Sequence, residues 1–205
     1  MKPDALPLAL VDVIESLGKL PGVGARTAER YAYYLFKTNS SVTNQIASTL
    51  VNLHSSVKMC PVTYALINSD EDISPLYESS ERDKTTILVV EEPLDIMAIE
   101  RTRGYKGTYH VLGGAISPIE GVGPEQLHIP ELIDRIQRDN VKEIIIATNA
   151  SVEGESTAIF LQRQINNSGN EVKISRLARG IPIGVDLEYA DQITLTHALE
   201  GRQVF

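Results

Sequence analysis

Two acidic segments hold the residue types best suited to chemistry. Val89-Val90-Glu91-Glu92-Pro93-Leu94-Asp95 ends one apolar run on carboxylates, and Ile144-Ile145-Ile146-Ala147-Thr148-Asn149-Ala150-Ser151-Val152-Glu153-Gly154-Glu155 ends another on a polar turn. Carboxylates gathered at strand ends can seat Mg²⁺, which needs anionic oxygens to offset its dehydration, and can then serve phosphoryl transfer. Among these acids stand Asn149 and Ser151, an amide and a hydroxyl that are poor ligands for such an ion.

A third segment points to phosphate. In Leu20-Pro21-Gly22-Val23-Gly24-Ala25-Arg26-Thr27-Ala28, Gly22 and Gly24 permit a tight turn and remove side chains that would block an anion. The N–H groups that open the following helix then face that anion. Arg26 and Arg30 stand four residues apart and project from one helix face. An αα-corner with two solvated arginines would use the same glycines. The arginine pair favours contact with the DNA backbone, which is indifferent to sequence and weakens with salt.

The remaining candidates are weaker. Val57-Lys58-Met59-Cys60 has Cys-x-x-Cys spacing with Val57 in the first place, and His54 with Cys60 makes two ligands where structural zinc takes four. Cys60 therefore reads as a small buried packing residue. Residues 178–191 make a looped path leading to a short strand and a helix, with Asp186, Glu188 and Asp191 as a solvated acidic loop. No Gly-x-x-x-x-Gly-Lys-Ser/Thr occurs, which excludes a P-loop.

The elements that must position these groups fall into two styles. Leu6, Leu8, Val11, Ile14 and Leu17 recur at helical spacing and predict a helix over about Asp4 to Leu17. Further helices are predicted over Arg26 to Phe36 and about Val42 to Ser56. Residues 57–84 are polar and irregular, a place for looseness. From Thr85 strands and helices alternate: strands near 86–90, 108–112, 143–147 and 171–175, helices near 95–100, 130–136 and 155–165. That rhythm implies a mainly parallel sheet covered on both faces, with ligands at the carboxyl ends of its strands.

Composition sets the frame. A chain of 205 residues with 42% hydrophobic and 22% charged content can bury a core as a globular protein. No apolar run reaches the roughly 18 residues of a membrane span, and the N-terminus lacks the apolar core of a signal peptide. One cysteine excludes an internal disulfide, so the cytoplasm is the expected location. The net charge of −8 is uneven. Residues 1–56 carry five basic against four acidic side chains, and the rest carries 14 against 23. A near-neutral N-terminal part can meet phosphate while an acidic part meets proteins.

The 144–155 segment resembles the second acidic motif of Toprim domains, whose Asp-x-Asp pair falls on Asn149 and Ser151 here, and Glu91 matches their strand-end glutamate. The 20–28 segment resembles the helix-hairpin-helix signature. These pieces, with Tyr109-His110-Val111-Leu112-Gly113-Gly114-Ala115-Ile116-Ser117-Pro118, Gly121-Val122-Gly123-Pro124 and Ala178-Arg179-Gly180-Ile181-Pro182, together resemble the RecR family over nearly the whole chain.

That resemblance implies an α/β chain. It would comprise an N-terminal helix-hairpin-helix domain for DNA binding and oligomerisation (1–56), a degenerate zinc-finger-like module (57–80), a Toprim-type parallel-sheet domain (81–175) and a C-terminal extension (176–205). It implies a non-enzymatic DNA repair and recombination mediator, a ring-like homotetramer that helps RecO, and in some contexts RecF, load RecA on SSB-covered single-stranded DNA. DNA contact falls on Gly22, Gly24, Arg26 and Arg30, and partner contact on Glu91, Glu153 and Glu155 as an acidic patch. The family's four-cysteine zinc site is not expected here, and no cofactor is implied. The alternative is a Mg²⁺-dependent Toprim nuclease or primase-like enzyme, which would need carboxylates at 149 and 151.

Overall fold

Apolar periodicity becomes helix wherever it repeats every three or four residues, and strand wherever β-branched residues run together. The computed structural model describes residues 6–202. Contacts divide the chain into two units, residues 1–57 and 58–205.

The first unit is helical: α1 spans Leu8–Gly18, α2 Ala25–Lys37 and α3 Ser40–Ser56. The predicted first helix began at Asp4, which lies outside the described residues. Leu20 and Val23 close a turn, Val23 N–H donating to the Leu20 carbonyl at 3.1 Å. Pro21 and Gly22 suit its two central places, because Gly22 has φ +77°. Gly24 caps α2 with no side chain to satisfy the first N–H groups. Asn39 caps α3, its side chain accepting from Ser41 N–H at 2.9 Å. This unit is thinly packed. Only Ala28 and Ala32 of its described residues are buried, while Leu8, Phe36, Leu50 and Val51 are broadly exposed.

β1 (Val57–Met59) begins at the last residue of the first unit, and the second unit holds the rest of it with β2 (Leu66–Asn68), the single turn α4 (Pro75–Glu78), β3 (Asp83–Val90), α5 (Pro93–Glu100), β4 (Gly107–Val111), α6 (Ile129–Arg138), β5 (Glu143–Ile146), α7 (Val152–Asn167), β6 (Lys173–Arg176) and α8 (Gln192–Glu200). β3 to β6 form a sheet in the order β4-β3-β5-β6, with every neighbouring pair parallel. The expected α/β class and parallel sheet are present.

Alternate residues of β3 serve the two faces, as strand geometry requires. Ile87 and Val89 join Leu132, Ile136, Ala158 and Leu161 of α6 and α7 on one face. Leu88 and Val90 join Ile96 of α5 with Tyr109 and Val111 on the other. β3 lies between β4 and β5, so the chain runs to opposite sides of it and leaves a crevice at the carboxyl ends of β3 and β5.

Two expectations need correction. Residues 57–84 are ordered rather than loose: β1 pairs with β2, and Ala65 and Ile67 are buried. Beyond β6, the short strand expected in the extension is a 3-10 turn at Leu187–Tyr189, followed by α8. Asp191 caps α8, accepting from Thr194 N–H at 2.9 Å and from its hydroxyl at 2.6 Å.

Candidate functional site

The crevice between β3 and β5 is built by backbone that only glycine can supply. Gly113 and Gly114, at φ +86° and +143°, each donate an N–H to the Glu91 carbonyl at 3.0 Å. Ile116 N–H donates to the Thr157 hydroxyl at 2.8 Å, which ties the same loop to α7. The loops enclose an open cleft of about 550 Å³, with Glu91, Glu92, Glu120, Ser151 and Glu153 among its walls.

At its floor Glu91 is 6% exposed. Its Oε1 accepts the Asn149 backbone N–H at 2.9 Å, and its Oε2 accepts from the Asn149 side-chain amide. Gly154 lies against this pair. A Cβ there would sit 2.2 Å from the Asn149 carbonyl oxygen and 2.8 Å from Glu91 Oε1. The glycine of Glu-Gly-Glu is therefore required by close approach. Ser151 is also engaged, capping α7 by accepting Gly154 N–H at 3.0 Å.

The residues do not suit a Mg²⁺ ion. Asn149 directs donors at Glu91, and Ser151 directs its oxygen at a helix N-terminus. Among the described residues no three His, Cys, Asp or Glu side chains gather as metal ligands.

The expected acidic patch is arranged differently from three clustered free carboxylates. Glu91 is buried and hydrogen-bonded. Glu155 meets Arg176 Nη1 at 2.7 Å and Arg179 Nη1 at 2.6 Å. Those guanidinium groups, Arg176 first, hold its carboxyl down at about 2. Glu153 is half-buried beside the cleft, with Glu92 exposed near it. The physical reason is that β6 and the following segment bring two arginines to the N-terminus of α7. Their partner lies more than twenty residues away in the chain, so no local pattern marks the pairing.

In the helical unit Arg26 and Arg30 are both exposed on α2, one turn apart. Cβ atoms added at Gly22 and Gly24 would meet nothing within 4 Å, so the hairpin's approach is open.

The segment where zinc would sit centres on the turn at Cys60. Its Sγ accepts N–H groups from Val62 at 3.5 Å, Thr63 at 3.4 Å and Ser74 at 3.3 Å. Burial pushes the thiol up, but the hydrogen bonds from Thr63, Val62 and Ser74 together hold it below the usual range. Cys60 thus opens its turn. The gap in the Cys-x-x-Cys spacing lies at Thr63 and not at Val57, and Ser74 with Tyr77 repeats the spacing on the facing turn. Hydroxyls at 63, 74 and 77 do not fit structural zinc, which takes thiolate or imidazole. The matching spacing of Cys60-Pro-Val-Thr63 and Ser74-Pro-Leu-Tyr77 was present in the sequence as a signal.

Other contacts anchor the module. Tyr64 stacks on His128, ring centres 3.6 Å apart. Val111 N–H donates to the Thr63 carbonyl at 2.9 Å. The Tyr77 hydroxyl donates to Asp139 Oδ1 at 3.0 Å, and buried Arg135 donates Nε–H to Asp139 Oδ2 at 3.0 Å. Arg135 also reaches the Thr108 hydroxyl at 2.6 Å, so one guanidinium joins α6 to β4.

Known proteins agree with this architecture. Residues 10–54 match the RecR helix-hairpin-helix family, 85–178 the Toprim domain, and 180–203 the RecR C-terminal family. The chain is 49% identical over 191 residues to recombination protein RecR of Heliobacterium modesticaldum, covering 93% of this chain and 94% of that one. It is 46% identical over 196 residues to recombination protein RecR of Moorella thermoacetica, covering 96% of each. Against recombination protein RecR of Tropheryma whipplei it is 45% identical over 192 residues, 94% of this chain and 95% of the relative. The chain belongs to the RecR family of recombination proteins.

Proposed function

We propose that this chain is a DNA-binding recombination mediator with no catalytic step of its own, working as a ring-like homotetramer with RecO, and in some contexts RecF, to load RecA on SSB-covered single strands. The observation that carries this reading is the Glu91–Asn149 clasp. It occupies the crevice where Toprim phosphoryl transfer would need a metal, and so favours binding over chemistry.

DNA contact rests on the open hairpin at Gly22 and Gly24 with Arg26 and Arg30 beyond it. Backbone N–H groups and two guanidinium groups suit phosphate without reading sequence. Two contacts per subunit are weak singly and add through a ring. The exposed apolar side chains of α1 to α3 support self-association, because a monomer rarely leaves so many uncovered. The cleft rim at Glu153, with Glu91 beneath it, is assigned to a basic partner such as RecO, while Glu155 stands outside the cleft with Arg176 and Arg179 as its partners. Electrostatic match there serves specificity and encounter rate.

The test has three arms. Replacing Arg26 and Arg30 together by Ala should sharply reduce DNA binding and flatten its salt dependence. Native mass should give a tetramer. Glu153→Lys should weaken RecO capture while DNA binding stays near that of the parent protein. Unchanged DNA binding by a folded double variant sinks the hairpin assignment. Mg²⁺-dependent cleavage that vanishes in Glu91→Gln sinks the non-catalytic one.

A further inference from the structure

We propose that Tyr34, with Tyr31 beside it, stacks on an unpaired base, so that the face of α2 prefers single-stranded nucleic acid to duplex. The inference rests on reading Arg26 and Arg30 as phosphate contacts and extends that reading to the bases.

Arg26, Arg30 and Tyr34 are spaced i, i+4, i+8 and lie in one row along α2. All three are exposed, Tyr34 by 62% and Tyr31 by 43%. The Arg30 guanidinium carbon lies 5.5 Å from the centre of the Tyr31 ring, which holds that ring next to the cationic row. Glu29, the one acid of α2, lies about 100° round the helix from Arg30.

The other aromatic residues of α2 face elsewhere. Tyr33 and Phe36 line an apolar groove with Pro7, Leu10, Val13 and Leu35, a surface suited to protein. Tyr34 is outside that groove. A large aromatic ring left in solvent in line with two arginines suits a ligand with phosphate at one end and a flat ring at the other.

The geometry discriminates between nucleic acids. Side chains one helical turn apart are about 6 Å from each other, comparable with the reach from a nucleotide's phosphate to its base. A single strand can turn a base face onto tyrosine while its phosphates stay on the arginines. In duplex the base faces are already stacked on one another, and Tyr34 finds only the backbone.

The test uses the full chain with a thymidine single strand, an abasic strand of equal length and a duplex, at one salt concentration. Stacking of this kind is worth 5- to 150-fold in affinity, to order of magnitude. Tyr34→Ala should lose about that much on the thymidine strand and stay within about twofold on the abasic strand and the duplex. The chain contains no tryptophan, so Tyr34→Trp adds a single reporter. Its fluorescence should be quenched by the thymidine strand and not by duplex. Unchanged affinity in Tyr34→Ala, or absence of quenching, overturns the proposal. Equal loss on all three ligands also overturns it, because Tyr34 would then support assembly. Replacing Arg26 and Arg30 by Ala should weaken all three ligands. If it does not, the phosphate reading has failed separately.

Discussion

Asn149 grips Glu91 from across the sheet: its backbone N–H reaches Oε1 at 2.9 Å, and its side-chain amide reaches Oε2. The two residues follow adjacent parallel strands, so their loops emerge together at one edge. An amide at 149 makes Glu91 part of the fold. A carboxylate there would leave two anions in contact unless a cation lay between them.

Asn149→Asp should therefore destabilise the protein without creating an enzyme. Two carboxylates in hydrogen-bond contact cannot both ionise at ordinary cost, and one must take a proton. Losing the charge-assisted bond should cost about 1–3 kcal/mol at pH 8. Part of that stability should return near pH 5, where a shared proton can bridge the pair. Chemical denaturation at both pH values measures this. Equal stability of parent and variant at pH 8 would show that the clasp contributes nothing.

The module at Cys60 should hold together without metal. Its thiol satisfies three N–H groups, and Tyr77 and Arg135 share Asp139. Protein purified without added zinc should contain far less than one zinc per chain, and chelator should leave its melting temperature unchanged. Arg135→Ala should cost about 2–5 kcal/mol, because it takes the buried donor from the Tyr109 carbonyl and the Thr108 hydroxyl, while Asp139 keeps Arg138 and Tyr77. Tyr77→Phe, which removes one hydrogen bond, should cost about 1 kcal/mol. A stoichiometric zinc whose removal unfolds the chain would show other ligands at work.

Much of this architecture was readable from periodicity. The apolar runs at 86–90 and 143–147 marked their strands, and the helix over 130–136 needed only its ends extended to Ile129 and Arg138. Pro21 and Gly22 named their own turn. What escaped the sequence was the pairing of particular side chains far apart in the chain. Arg176 and Arg179 gave no hint that they would neutralise Glu155, and Asn149 gave none that it would hold Glu91. The module's polar composition suggests a loop, whereas a buried sulfur accepting three N–H groups, a strand pair and the contacts of Tyr64 and Tyr77 order it. Composition reports the average exposure of a segment and not the few contacts that fix it.

His110 should make the fold acid-sensitive well above the carboxylate range. The ring is fully buried, and Nε2 donates to the His128 carbonyl at 2.7 Å, which leaves Nδ1 without a partner. Burial pushes its pKa down from 6.5 to about 3, so the folded state holds it neutral. The unfolded chain protonates near 6.5, and stability must fall as pH drops from there toward 3. The slope has a ceiling of about 1.4 kcal/mol per pH unit. Denaturant midpoints between pH 6.5 and 5 should decline in the parent protein. They should decline less in His110→Gln, which can still donate to the same carbonyl. An identical slope in the variant would move the effect to another histidine.

The ion pairs of Glu155 should secure the start of the C-terminal extension and release it in acid. Arg176 and Arg179 hold the carboxyl at about 2 against an ordinary 4.5. The sign is that of a depressed acid. The contribution is complete above about 4.5 and disappears as pH falls toward 2. Glu155 is 39% exposed, so solvent screens the pairs and their effect should be local more than global. Hydrogen exchange can separate the two scales. In Glu155→Gln at pH 7, amides at 176–180 and in α8 should exchange faster than in the parent protein, while those of β3 and β5 hold their protection. Added salt should narrow the difference, because it weakens the pairs in the parent protein and has nothing to weaken in the variant. If exchange in the extension is the same in both proteins at low salt, the extension is held by packing alone, with the approach of Gly180 to Ala198 of α8 as the contact to test next.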